Sequence, residues 1–173
     1  MIQLILGGAR SGKSRLAEQK AKDSGLPVIY VATAQAYDDE MQERIQHHQA
    51  DRPVHWGLVE EAVYLADRLL EIDQDNQLIL VDCLTLWMSN LLLNEHAEFQ
   101  PQQCQKLLAT LPKLKSEIIL VSNETGLGVV PMGQLSRKFV DESGRLHQQL
   151  GQLSDHVVFC VAGFPMVLKG EKQ

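Results

Sequence analysis

Short, uniformly apolar runs recur along the chain, each separated from the next by a segment with helical spacing. The runs at 3–6 (QLIL), 28–32 (VIYVA), 78–82 (LILVD), 118–122 (IILVS) and 157–162 (VVFCVA) lack the alternation expected of a strand with one wet face. Strands buried on both faces read this way, and a parallel sheet with helices above and below is what buries them. Helices are predicted over 13–24, 38–50, 62–72, 84–93, 102–111 and 134–153. Strand and helix taking turns along a chain predict a wound α/β architecture, a mainly parallel sheet with helices on both faces. The stretch at 95–103 (EHAEFQPQQ) is the most loop-like interruption and is expected to be mobile. No internal repeat, low-complexity tract or Pro/Gly-rich linker divides the chain, so 1–173 is read as a single domain.

Composition narrows the partners. With 45% hydrophobic residues, 173 residues suffice for a proper core. A net charge of −6 argues against nucleic acid, because binding a phosphate backbone calls for a basic surface. No apolar run approaches the roughly 20 residues of a membrane span, and a strand and glycine-rich loop stand where a secretory signal would lie. Cys83, Cys104 and Cys160 are odd in number and widely spaced. They are expected to be reduced thiols of a cytoplasmic protein, with no zinc site and no disulfide framework.

The first strand runs directly into LGGARSGKSRLAEQ at 6–19, in which Gly7, Gly12, Lys13 and Ser14 fit the phosphate-loop spacing. Glycines let backbone N–H groups turn inward around phosphate oxygens. Lys13 would bring a charge to the β and γ phosphates, Ser14 a hydroxyl ligand for Mg²⁺, and the following helix its positive end. A metal partner is expected at the end of a later strand, where Asp82 closes LILVD. The alternative role for Asp82 is N-cap of the helix from 84.

A second stretch, DDEMQERIQHHQADRP, places two histidines side by side. Asp38, Asp39 and Glu40 suit a helix start, and Pro53 lies a little beyond its end. At about 3.6 residues per turn, Met41, Ile45 and His48 share one stripe, while His47 aligns with Glu40 and Glu43 on the opposite side. His48 as simple packing and His47 as a solvated surface residue is one reading. Nucleophilic catalysis is the other: a neutral imidazole can attack a nucleotide's α-phosphorus and hold it as a phosphoramidate. His48 is the better candidate for that, since Glu43 would keep His47 protonated; Arg44, one turn before His48, could steady the phosphate charge.

GGARSGKS, YVATAQAYDDEM, RIQHHQADRP, LVDCLTLWMSNLL and SNETGLGVVP occur together and in order. In this the chain resembles the bifunctional adenosylcobinamide kinase/adenosylcobinamide-phosphate guanylyltransferases of cobalamin biosynthesis, over nearly its whole length. The resemblance implies two reactions: phosphorylation of the aminopropanol hydroxyl of adenosylcobinamide by a nucleoside triphosphate, then transfer of GMP from GTP, through a guanylylated histidine, to that phosphate. ATP and GTP would be substrates and Mg²⁺ the cofactor. It places the nucleophile on the histidine pair, of which the stripe argument selects His48; Lys13 of the phosphate loop is the other expected catalytic residue. It also implies nucleotide contacts at Gly7, Gly8, Ala9, Arg10, Ser11, Gly12, Lys13 and Ser14, at Ala32, Thr33 and Ala34, at Gln49, Ala50, Asp51 and Arg52, and at Glu60 and Asp82. A fold like the recombinase-type (RecA-like) P-loop NTPases and assembly as a homotrimer are further implications.

Asp82 stands where some relatives carry Glu, and Ala34 where some carry a hydroxyl, which weakens a side-chain role at 34. NETGLGVVP is expected to form a loop at a strand's C-terminal end, where open α/β sheets bind ligands, with Asn123 and Glu124 within reach of substrate or metal; a turn rich in glycine for geometric reasons is the alternative. Two other classes compete. A small-molecule kinase without a covalent step would leave the histidines inert. A nucleotide switch or assembly ATPase would need a partner surface that this acidic chain does not advertise.

Overall fold

A computed structural model describes residues 1–34 and 53–171. Its strands are β1 (Ile2–Gly7), β2 (Val28–Ala32), β3 (Gly57–Glu60), β4 (Leu78–Asp82), β5 (Glu117–Asn123), β6 (His156–Val161) and β7 (Phe164–Lys169). The helices are α1 (Lys13–Asp23), α2 (Leu65–Ile72), α3 (Leu84–Leu92), α4 (Phe99–Thr110) and α5 (Gln134–Leu153), with a short 3-10 turn at Leu111–Lys113. All seven strands join one sheet in the order β3-β2-β4-β5-β1-β6-β7. Every pairing is parallel except the β6–β7 hairpin at one edge.

The five apolar runs became the five inner strands because alternate residues feed two cores. Leu4, Leu6, Val31, Ile79, Val81, Ile118 and Leu120 face one side, where they meet Leu65, Leu69, Trp87, Met88, Leu107, Leu146 and Leu150 of α2, α3, α4 and α5. Ile5, Tyr30, Leu80, Ile119 and Val121 face the other, under Ala17 and Ala21 of α1. Trp87 is fully buried, and its indole N–H donates to the carbonyl of Val63 at 2.8 Å, so the core keeps a polar atom satisfied. Helices cover both faces, as the continuous apolar runs require.

Three local expectations need correction. Residues 99–103 are helical, not loop: α4 begins at Phe99, and Pro101 sits in its first turn, where a missing N–H removes no intrahelical bond. Gln100 and Gln103 are buried there. Helix α2 starts at Leu65, three residues later than 62, because Glu61 Oε1 accepts the N–H groups of Val63 and Tyr64 and holds that stretch as a turn. β3 and β7 were not among the expected strands; both are edge strands whose residues are mostly exposed. The predicted helix over 38–50 lies outside the described residues.

Candidate active site

β1 ends at Gly7, and the chain turns through Gly8–Gly12 into α1. A Cβ on Gly7 would lie 2.4 Å from Ser11 Oγ and 2.8 Å from the carbonyl oxygen of Cys160, so the position admits no side chain. The Ser11 N–H donates to the Gly8 carbonyl at 3.2 Å, while Arg10 (φ 55) and Gly12 (φ 93) adopt left-handed backbone. Left-handed residues in such a loop let backbone amides turn into a concavity, the shape that receives a phosphate. The hairpin turn between β6 and β7 braces the loop: the Gly163 N–H donates to the Ser11 carbonyl at 3.0 Å. Gly12 and Gly163 abut there, since a Cβ on Gly12 would stand 3.3 Å from the Gly163 Cα.

Lys13 and Ser14 open α1, whose first turn carries no acid, so its positive end is not neutralised locally. The Lys13 ammonium donates to the Gly8 carbonyl at 3.2 Å, which stations the charge at the loop. Asp82 closes β4, two strands from β1 with β5 between them. It is not the cap of α3; that position is Cys83, without a side-chain cap bond. A hydroxyl and a carboxylate are hard oxygen donors, and with a bound triphosphate they suit Mg²⁺, which keeps several waters and takes few protein ligands. Ser11 Oγ, buried within the loop without a hydrogen-bond partner, further marks the loop as built around something polar.

Gly7, Gly8, Ala9, Arg10, Ser11, Gly12, Lys13 and Ser14 thus form one cradle. Ala32, Glu60 and Asp82 come together in a second place: Ala32 is in register with Glu60 on one side and with Asp82 on the other. Glu60 lies four strand spacings from β1, roughly 19 Å at about 4.8 Å each, so it can meet only a part of a ligand remote from the phosphates. Thr33 is fully buried and committed to the chain: its hydroxyl donates to the Cys83 carbonyl at 2.6 Å and accepts the Cys83 N–H at 3.0 Å. Its side chain therefore fixes the β4–α3 turn. His47, His48, Gln49, Ala50, Asp51 and Arg52 lie outside the described residues. The three cysteines are free, and burial pushes the Cys83 and Cys104 thiols up to about 11, which keeps them protonated.

In one cluster beside the loop, Glu124 was expected from the sequence but its partners His147 and Ser122 were not. His147 of α5 is buried, with Nε2 2.8 Å from Ser122 Oγ and Nδ1 3.5 Å from Glu124 Oε2. The second distance is an ion-pair separation, long for a hydrogen bond. A 3.6-residue period does align Ser143, His147 and Leu150, so the buried stripe of α5 was a signal that this histidine faces inward.

Burial pushes the pKa of His147 below its usual value, against the opposing pull of the Glu124 carboxylate. The unfolded imidazole binds its proton near 6.5, so above about that pH the group costs nothing. Below it the unfolded state takes up the proton first, and stability falls as the pH drops towards the lowered folded value. The urea midpoint of the natural protein is expected to drop more steeply between about pH 7.5 and pH 5.5 than that of His147→Gln. Parallel midpoint-against-pH curves would refute this.

The chain matches the family described as cobinamide kinase / cobinamide phosphate guanyltransferase over residues 3–168. It is 56% identical, over 171 residues and 99% of each chain, to the bifunctional adenosylcobalamin biosynthesis protein CobP of Pseudomonas aeruginosa. To CobU of Escherichia coli K12, which carries the same description, it is 38% identical over 98% of this chain and 100% of the relative. Among solved structures, the PH0250 protein of Pyrococcus horikoshii OT3 superposes with a TM-score of 0.60 at 11% identity, covering 99% of this chain and 87% of that one. The RadB recombinase does so at 0.51 and 16% identity, covering 91% and 73%. Those likenesses speak to fold alone, and they agree with the recombinase-type P-loop architecture. The cradle at the end of β1, the Asp82 strand two places away and a match spanning nearly the whole length make the conclusion plain: this chain belongs to the cobinamide kinase / cobinamide phosphate guanyltransferase family.

Proposed function

We propose that this protein carries out both reactions of its family, phosphorylating adenosylcobinamide and then transferring GMP from GTP to the phosphate through a guanylylated His48. The observation that carries this reading is the 56% identity, end to end, with a bifunctional adenosylcobalamin biosynthesis protein. The cradle of Gly7 to Ser14 holds the triphosphate of either nucleotide, and Lys13 neutralises charge on the transferring group. Mg²⁺ would be held by Ser14 and, through water, by Asp82, where it supplies charge that bridges and orients the phosphates. Phosphoryl transfer asks for clamped phosphates and an aligned hydroxyl. Guanylyl transfer asks instead for an exposed α-phosphorus while pyrophosphate stays clamped as leaving group. One loop serves both.

In this reading the nucleoside end of a ligand clamped at Gly7–Ser14 meets Glu60 and the segment Ala32, Thr33 and Ala34. Gln49, Ala50, Asp51 and Arg52 complete the nucleotide contacts. Residues 1–173 act as one catalytic domain. Assembly as a homotrimer is supported by the family resemblance and by Leu127, Val129, Val130 and Met132, exposed apolar residues in the β5–α5 loop that a neighbour would cover. A cytoplasmic location agrees with three free thiols, and no described helix is long and apolar enough to cross a membrane.

The test is incubation with α-labelled GTP and Mg²⁺, followed by a denaturing gel and a coupled assay for nucleotide consumption. A covalent, acid-labile label and consumption accelerated by cobinamide are expected. No label with cobinamide-stimulated consumption would leave an ordinary kinase; no stimulation at all would sink the reading.

A further inference from the structure

The strand between the phosphate loop and Asp82 ends in Asn123, which pairs with Gly7, and the next residue is Glu124. The Glu124 N–H donates to the Gly7 carbonyl at 3.0 Å, so this residue follows directly on the row that starts the cradle. One oxygen of its carboxylate is hydrogen-bonded and the other only faces a histidine. Oε1 accepts the Gly126 N–H at 2.5 Å, and Oε2 stands 3.5 Å from His147 Nδ1.

Behind it runs a chain of polar contacts. The Asn123 N–H, an obligatory donor, gives to Thr85 Oγ1 at 2.6 Å. Thr85 Oγ1 is 3.4 Å from Ser122 Oγ, and Ser122 Oγ is 2.8 Å from His147 Nε2. If each hydroxyl passes its proton onward, Nε2 accepts and the ring's own proton sits on Nδ1, aimed at Glu124. Ser122 is 2% exposed and His147 8%, so these two members are shielded from water. The arrangement leaves a carboxylate beside the phosphate cradle, one-fifth exposed, with one oxygen held by the Gly126 N–H and the other facing His147.

We propose that Glu124 is the base of the kinase step and that His147, acting through it, is its positioning residue; the proposal rests on the kinase reading above. The substrate hydroxyl oxygen forms a bond to the γ-phosphorus while the bond from that phosphorus to the β–γ bridging oxygen breaks. The bond's electron pair leaves with the nucleoside diphosphate. The hydroxyl proton passes to Glu124 Oε2, and afterwards to water, so charge balances: a neutral alcohol and a carboxylate become a phosphate ester and a carboxylic acid. The guanylyl step makes no such demand, since its final acceptor is a phosphate monoester that is already ionised. Glu124 therefore serves one reaction only.

Glu124→Gln separates this role from a structural one, because the amide oxygen can still accept from Gly126 but takes no proton. In the full-length protein, kcat for adenosylcobinamide phosphorylation should fall about 10²-fold or more, with both KM values within about threefold. Transfer of GMP to pre-formed adenosylcobinamide phosphate should stay within about threefold of the natural protein. Glu124→Asp, which keeps a carboxylate, should retain more kinase activity than Glu124→Gln. His147→Gln should lower kinase kcat about tenfold and have no further effect in the Glu124→Gln background, since its only route is the carboxylate. Near-natural kinase kcat in Glu124→Gln, equal loss of both reactions, an Asp variant no better than Gln, or additive loss in the double variant would each overturn the proposal. Failure of the natural protein itself to phosphorylate adenosylcobinamide would sink the functional reading instead.

Discussion

His48→Asn is expected to lose the covalent GMP adduct and with it the whole guanylyltransferase reaction, while kinase activity survives at least in part. The asymmetry follows from chemistry. Guanylyl transfer through a covalent intermediate needs the lone pair of an imidazole nitrogen, which Asn lacks, whereas phosphorylation of a hydroxyl by a clamped triphosphate asks nothing of that imidazole. His47→Asn should be much milder, since the predicted helix turns its side chain about 100° away, onto the face shared with Glu40 and Glu43. Labelling with α-labelled GTP reads both variants at once, and the adduct should be acid-labile and base-stable, as a phosphorus–nitrogen bond requires. Adduct in His48→Asn together with its loss in His47→Asn would reverse the assignment. Adduct in both single variants would remove the pair from the mechanism.

Lys13→Ala should abolish both activities, with losses of about 10²-fold or more in each. The ammonium is stationed at the cradle by its bond to the Gly8 carbonyl, at the start of a helix whose first turn holds no acid. It therefore neutralises charge that develops on the transferring phosphoryl group in one reaction and on departing pyrophosphate in the other. The fold itself should tolerate the change, because Lys13 is half-exposed and outside both cores. A melting temperature close to that of the natural protein would confirm that the loss is chemical. Near-normal guanylylation by Lys13→Ala would mean that the two reactions use different phosphate sites.

These expectations draw on the chain in different ways. The inner strands β1, β2, β4, β5 and β6 were legible because a strand buried on both faces is apolar at nearly every position; FPMVL at 164–168 is as apolar, yet it forms the exposed edge strand β7. The cradle was legible for a related reason: Gly7 to Ser14 are contiguous, and their geometry is set by local backbone needs that leave a local pattern. Family membership rests on several such contiguous stretches read together.

What was not written locally was decided by packing. GLVE became β3 because the edge of β2 offered it partners, although its own residues are mostly exposed. β7 was decided likewise by the hairpin through Ala162 and Gly163, whose positive φ angles of 50 and 84 turn the chain back on β6. EHAEFQPQQ reads as polar loop, yet its second half is helical, because Phe99, Cys104 and Leu107 of α4 pack against the core. The Thr85–Ser122–His147–Glu124 chain is the clearest case. Its members span three elements and the loop after β5, and apart from the neighbours Ser122 and Glu124 no spacing in sequence relates them. A motif is visible in sequence when neighbouring residues share one job under short-range geometry; a polar cluster between distant segments exists only once folding has brought α3 and α5 against the end of β5.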